Sequence, residues 1–214
     1  MIPRGVFCIL NSPKIGKNVK NLKKLVIAID GPAASGKSTT SKLTAKRLGY
    51  LHVDTGAMYR AMTLKILEKG IDIFDEKQIA ELANETAIRL EDHTEGMRVY
   101  LDGVDVTEKI RSQIVTKSVS AVSSLKDVRD VMVREQREMC KYGGIVLEGR
   151  DIGTVVFPDA DVKIFMVAHV EERARRRQKE LLKQNIEVPL DQLIEEIIER
   201  DQKDSERHIP VAQS

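Results

Sequence analysis

Two cysteines, Cys8 and Cys140, are all that this chain carries. They are too few and too far apart for a disulfide framework or a paired-thiolate metal site, and a reducing, cytoplasmic setting fits. Four scattered histidines do not offer the ligand spacing of a protein-built zinc site. Long apolar runs are missing too: stretches such as 25–29 reach five residues, against the ~20 that a membrane-spanning helix needs. A large basic excess is also absent. Lysine and arginine total 35 against 33 acidic residues, a net charge of +2. Residues 1–24 hold six of the basic residues (Arg4, Lys14, Lys17, Lys20, Lys23, Lys24) and no acidic one, so the remainder carries 29 against 33, a net of −4. The body is therefore not a nucleic-acid surface, and neither nucleic acid nor membrane is expected as a partner.

What is present suits a soluble globular chain. Hydrophobic residues make up 42% and charged residues 32% of 214 positions. That length holds one domain with insertions and buries roughly 70% of its extended surface. The tail 1–24 reads as a basic flexible extension: one apolar patch, Val6–Leu10, then asparagine, proline, glycine and lysine. The patch is too short for a secretory leader, and no small-residue cleavage site follows it.

From Leu25 the pattern alternates. LVIAID (25–30) is a short β-branched apolar run, read as a buried strand. Residues 37–48 read as a helix, with Leu43, Ala45 and Leu48 apolar and Gly49 closing it. LHVD (51–54) is a second strand. Residues 56–69 form a helix with Met58, Ala61, Met62, Ile66 and Leu67 on its apolar face. Residues 72–111 differ, pairing a polar helix (75–90) with two short strands about an Asp102-Gly103 turn, as a small inserted unit. One or two helices span 112–141, with Val128, Val131, Met132 and Met139 as the buried stripe. IVLE (145–148) and VKIFMVA (162–168) are further strands. Helices at 170–184 and 190–203 follow, the latter with Leu190, Leu193, Ile194, Ile197 and Ile198 on one stripe. Apolar strands alternating with helices predict an α/β fold whose parallel sheet is covered on both faces.

Gly31-Pro32-Ala33-Ala34-Ser35-Gly36-Lys37-Ser38 matches G-x-x-x-x-G-K-[ST], between a strand and a helix as the motif demands. The glycines permit the turn. Backbone N–H groups then point at a phosphate beside a helix N-terminus. Lys37 brings a positive charge to the β and γ phosphates, and Ser38 offers a hydroxyl to Mg²⁺ carried by ATP. The plain alternative is a glycine-rich turn with no ligand. No Asn-Lys-x-Asp base reader of a GTPase is present, nor the Leu-Ser-Gly-Gly-Gln segment of a transporter ATPase. A small kinase remains, and it needs an acceptor site.

Two polar segments interrupt apolar ones, DTGAMYR (54–60) and EGRDIGT (148–154), both at strand carboxyl ends where open α/β sheets bind ligands. Read plainly, the first is helix capping by Asp54 and Thr55, and both add surface charge. EERARRR (171–177) sets Arg173 three and four residues before Arg176 and Arg177 on one helix face. It is either a solvated charge run or the cationic clamp that phosphoryl transfer requires. Arg200, Asp204 and Arg207 share a face of a final helical segment.

With GPAASGKST, DTGAMYR, IRSQ, EGRDIGTVVFPDA, KIF, EERARRR and ERDQKDSER in this order over about 25–209, the chain resembles the bacterial cytidylate kinases. The resemblance implies a three-layer P-loop kinase with strand order 2-3-1-4, an insertion at 72–111 near the acceptor site and a lid at about 170–190. It implies that Gly31 to Thr39 hold the ATP phosphates. Thr55, Arg60, Arg150 and Arg207 would hold the CMP phosphate. Ser120, Arg129 and Asp151 would read cytosine, and Arg200 and Asp204 the ribose. Arg173, Arg176 and Arg177 would belong to a lid closing over ATP, with Lys37, Arg150 and these three carrying the catalytic charge. Cytosine offers an amino donor at N4 and acceptors at N3 and O2, which a carboxylate or hydroxyl and an arginine can match. Uracil inverts the groups at N3 and C4 and would leave polar groups unpaired.

The implied reaction is ATP with CMP or dCMP giving ADP with CDP or dCDP, in a monomer with Mg²⁺ on the ATP phosphates. The tail has no counterpart in the family pattern. The pattern also continues past Ile-Pro-Val-Ala into another strand and helix, so a fifth strand is expected to be missing. Two other readings stay open here: another small P-loop kinase, or a truncated nucleotide-binding chain with little activity.

Overall fold

In the computed structural model, residues 24–206 are described, apart from 94, 95 and 184. The expectations for the tail and for Arg207 lie outside the described residues, Lys24 aside. Strand β1 (Val26–Asp30) leads through the glycine-rich loop into helix α1 (Lys37–Leu48). Strand β2 (Leu51–Asp54) runs straight into α2 (Thr55–Glu68). The inserted region holds α3 (Glu76–Glu85), β3 (Ile88–His93), β4 (Gly96–Leu101) and β5 (Val104–Asp105). Helices α4 (Gln113–Val122) and α5 (Lys126–Met139) precede β6 (Ile145–Gly149). A single π-helical turn (Ile152–Val156), strand β7 (Val162–Phe165) and helices α6 (Val170–Leu182) and α7 (Leu190–Glu206) complete the order.

The main sheet is parallel with order β2-β6-β1-β7, the expected 2-3-1-4. Its inner strands are buried because helices cover them: Ala28, Ile29, Val146 and Leu147 are fully enclosed, as is Val53 of the edge strand β2. Helix α2 is the hub. Met58, Ala61, Met62 and Ile66 pack into one cluster with Ile145 and Leu147 of the sheet and with Ile79, Ile88, Leu90 and Leu101 of the insertion. The inserted three-stranded sheet, order β3-β4-β5, thus shares the main core rather than building its own.

Four local expectations are corrected. The polar helix read over 75–90 stops at Glu85, and 88–93 is a strand. Ile88 and Leu90 are buried while Arg89 and Glu91 are half-exposed, a period of two that marks a strand. In α1 only Ser41 and Ala45 are buried, and Leu43 and Leu48 are exposed. Small residues let this helix approach the sheet closely, and the leucines lie on its far side. The fourth strand is shorter than 162–168 and exposed along its length, with β1 as its one strand neighbour among the described residues. In α7, Leu193 and Ile197 are buried but Ile198 is exposed.

Candidate active site

The carboxyl ends of β1, β2 and β6 lie side by side, in register Asp30↔Gly149 and Asp54↔Glu148. Each strand is followed at once by one of the polar motifs, so the sheet alone brings the phosphate loop, DTGAMYR and EGRDIGT together. The loop needs its glycines. Gly31 has φ +144°, and a Cβ there would sit 2.2 Å from the Met166 carbonyl oxygen. Ala34 adopts φ 56°, a left-handed conformation that costs a non-glycine residue energy and marks a constrained loop.

Cations hold that loop by its carbonyls. Arg150 donates to Gly31 O at 3.2 Å and Lys37 Nζ to Pro32 O at 2.7 Å. Arg173 donates to Ala33 O at 3.4 Å, and Arg176 to Ala34 O and Ser35 O at 3.4 and 3.1 Å. Every carbonyl from 31 to 35 therefore faces a charged donor. Burial, and next the nearby Arg150 charge, push Lys37 down to about 8.

Behind the loop lies a buried hydrogen-bonded chain. Glu148, at the end of β6, accepts from Ser38 Oγ at 2.7 Å on one oxygen and pairs with His52 Nε2 at 2.9 Å on the other. Its backbone carbonyl accepts from Thr55 Oγ1 at 2.8 Å. Burial pushes the Glu148 carboxyl up, but the hydrogen bonds from His52 and Ser38 outweigh it and leave the group below its ordinary value. An ionised Glu148 takes the Ser38 proton in its hydrogen bond and leaves the lone pairs of Ser38 Oγ for a hard cation. Among the described residues no cluster of three or more His, Cys, Asp or Glu could hold a metal ion. The Ser38 hydroxyl, its proton held by Glu148, is a single hard donor of the kind that fits Mg²⁺, which keeps its waters and rides on substrate phosphates.

Asp30 closes the other side. Its two carboxylate oxygens accept from the amides of Ile152 and Gly153, both at 2.8 Å. Burial holds its pKa above the ordinary carboxylate value, against the pull of those amides. This clamp orients the π turn and with it Arg150 and Asp151. Asp151 in turn pairs with Arg129 of α5, whose guanidinium also reaches Ser123 O at 3.5 Å. Arg150 lies 3.3 Å from Asp204 of α7.

The structure thus joins Arg129 to Asp151, Arg150 to Asp204, and Arg173 and Arg176 to the loop. Arg60 sits one turn along α2, its guanidinium beside Gly56. Ser120 is half-buried near the end of α4, its carbonyl accepting from Ser123 Oγ at 3.1 Å. Arg177 instead turns along its own helix to Glu180 at 3.5 Å. Thr55 does not cap α2. Asp54 does, accepting from Ala57 N at 3.2 Å. Sequence reasoning missed Asp30, His52 and Glu148 as parts of the site, and Asp201 as the partner of Arg173. The signal for Asp30 and Glu148 was an acid ending an apolar strand just before a glycine. His52 and Asp201 gave none.

A sequence model of the Cytidylate kinase family matches residues 27–213. The chain is 54% identical over 187 residues to a cytidylate kinase of Bacillus pumilus, spanning 87% of this chain and 83% of that one. It is 53% identical over 186 residues to one of Pediococcus pentosaceus (87% and 82% of the two chains). With one of Bacillus subtilis the identity is 49% over 187 residues (87% and 84%). The span of the family model takes in the phosphate loop, Asp30 and the arginine-carboxylate pairs, and the chain belongs to the cytidylate kinase family.

Proposed function

We propose that this chain transfers the γ-phosphoryl group of ATP to CMP or dCMP, giving ADP and CDP or dCDP. The observation that carries the reading is the juxtaposition, at one end of the sheet, of a cation-wrapped phosphate loop with the Arg129–Asp151 and Arg150–Asp204 pairs. An acceptor phosphate oxygen forms the new P–O bond as the bond from the γ phosphorus to the β-phosphate oxygen breaks. That acceptor oxygen is already anionic, so no general base is needed, and positioning and charge supply the catalysis. Lys37 and Arg150 stabilise charge on the transferred group, with Arg173, Arg176 and Arg177 closing from α6. Residues Gly31 to Thr39 cradle the ATP phosphates. Thr55, Arg60, Arg150 and Arg207 hold the acceptor phosphate. Ser120, Arg129 and Asp151 read the base, and Arg200 and Asp204 the ribose. Ser38 Oγ, with its proton directed to Glu148, would hold Mg²⁺, which would supply positive charge to neutralise the phosphates.

ADP formation from ATP with CMP, dCMP, UMP or AMP tests this. CMP and dCMP should turn over, and UMP and AMP should show kcat/KM lower by about 10-fold or more. Equal use of UMP or AMP, or no turnover with CMP, would overturn it.

A further inference from the structure

Helix α7 presents two acids one turn apart, and each grips an arginine that also reaches the phosphate loop. Arg173 of α6 donates Nη1 to Asp201 Oδ1 at 3.1 Å and Nη2 to Asp201 Oδ2, while the same Nη1 lies 3.4 Å from Ala33 O. Arg150 lies 3.3 Å from Asp204 and donates to Gly31 O at 3.2 Å. Two chains of contacts, Asp201–Arg173–Ala33 and Asp204–Arg150–Gly31, therefore run from one helix to one loop. The first is the less solvated anchor. Arg173 is 5% exposed, and its fork-to-fork pairing with Asp201 fixes the guanidinium plane. Asp201 directly follows Arg200 in α7 and precedes Asp204 by one turn. A shift at Ala33 displaces Arg173, then Asp201, and with it the helix that carries both acceptor-side residues.

We infer that Asp201 is a positioning residue which, through Arg173, ties helix α7 to the phosphate loop, so that ATP and CMP strengthen each other's binding. The inference rests on the ATP and CMP reading above. It requires no contact between Asp201 and either substrate. Coupling of this kind is reciprocal: whatever factor ATP adds to CMP affinity, CMP adds to ATP affinity.

The test measures CMP affinity by calorimetry with and without a saturating β,γ-methylene analogue of ATP, in the unaltered chain and in Asp201→Asn. The unaltered chain should show a tightening on the order of 10-fold. In Asp201→Asn that factor should fall towards one, while the affinity for each ligand alone changes by less than about threefold, well below the coupling factor. A residue that merely stabilised the hairpin would lower the melting temperature and leave the factor intact. Full coupling in a folded Asp201→Asn, or none in the unaltered chain, overturns the inference. If Asp201→Asn does not fold, amide exchange in the unaltered chain decides. The analogue alone should slow exchange across Leu190–Glu206, and unchanged rates overturn the proposal. Turnover of CMP by the unaltered chain is measured first. Its absence sinks the substrate reading, whereas turnover with coupling unaffected by Asp201→Asn sinks only this inference.

Discussion

Glu148 and Arg173 are both charged and both buried, at 3% and 5% exposure, yet their surroundings differ. Glu148 ends a central strand, and the core beneath it runs from Ala28 through α2 to Val156. Arg173 belongs to the α6–α7 hairpin, whose own core is Ala174, Leu181, Leu193 and Ile197. The hairpin meets the phosphate loop through arginine-to-carbonyl contacts, and its Asp204 pairs with Arg150 beyond the end of β6. Groups that must keep one geometry, such as Glu148, Asp30 and Thr55, are thus set in a large apolar core. The cations proposed to close on a substrate are carried by a small unit joined to the site by polar contacts, which exchange partners at less cost than a packed interface.

Core substitutions sharpen this comparison most. Met62 is fully enclosed at the centre of α2, so Met62→Ala should cost about 2–5 kcal/mol in denaturant unfolding. Ile197→Ala removes a similar volume from the hairpin. The main transition should then move less, because the hairpin opens locally, while KM for ATP rises. Equal losses of global stability would erase the distinction between the two regions.

On the sheet side, Lys37→Ala should lower kcat by about 100-fold or more, as loss of a fixed charge at the reacting group does. Near-normal kcat would remove Lys37 from the role proposed for it. A smaller effect is expected at the base. Arg129→Ala should lose about 1–3 kcal/mol of discrimination between CMP and UMP in kcat/KM. An equal fall for both nucleotides would show that the Arg129–Asp151 pair braces α5 rather than reading the base.

The most gradual effect is a pH limb. Lys37 is pushed down to about 8, chiefly by burial, so it is protonated below that pH and loses its charge above it. kcat/KM for ATP reports the free enzyme and should hold below pH 8, then fall by up to about 10-fold per unit as pH rises. A flat profile up to pH 10 would show that Lys37 keeps its proton and that burial weighs less there than the neighbouring carboxylates.

Much of the fold was legible because local chemistry is decisive where a motif meets a strand. The glycine loop, the Asp102-Gly103 turn and the stripes of α2 and α5 depend on spacing alone, and each appears where the sequence put it. The parallel order followed from the family resemblance. The strand at Ile88 was hidden because a polar helix runs into it with two residues between, and four alternating residues give a short signal. Leu43 and Ile198 misled because an apolar side chain at helical spacing names a face only when a partner is known.

In the site, sequence alone determined which chemistry was available: a phosphate loop, arginines and carboxylates at strand ends. It did so because a backbone turn and the side chain beside it are set within a few residues. Only the tertiary structure decided which charge meets which. His52 reaches Glu148 across 96 positions, Asp30 reaches Gly153 across 123, and Arg173 reaches Ala33 across 140. Such pairings depend on strand register and on helix packing around α2. Both come from burying apolar area over the whole chain, and no spacing between the charged residues encodes them.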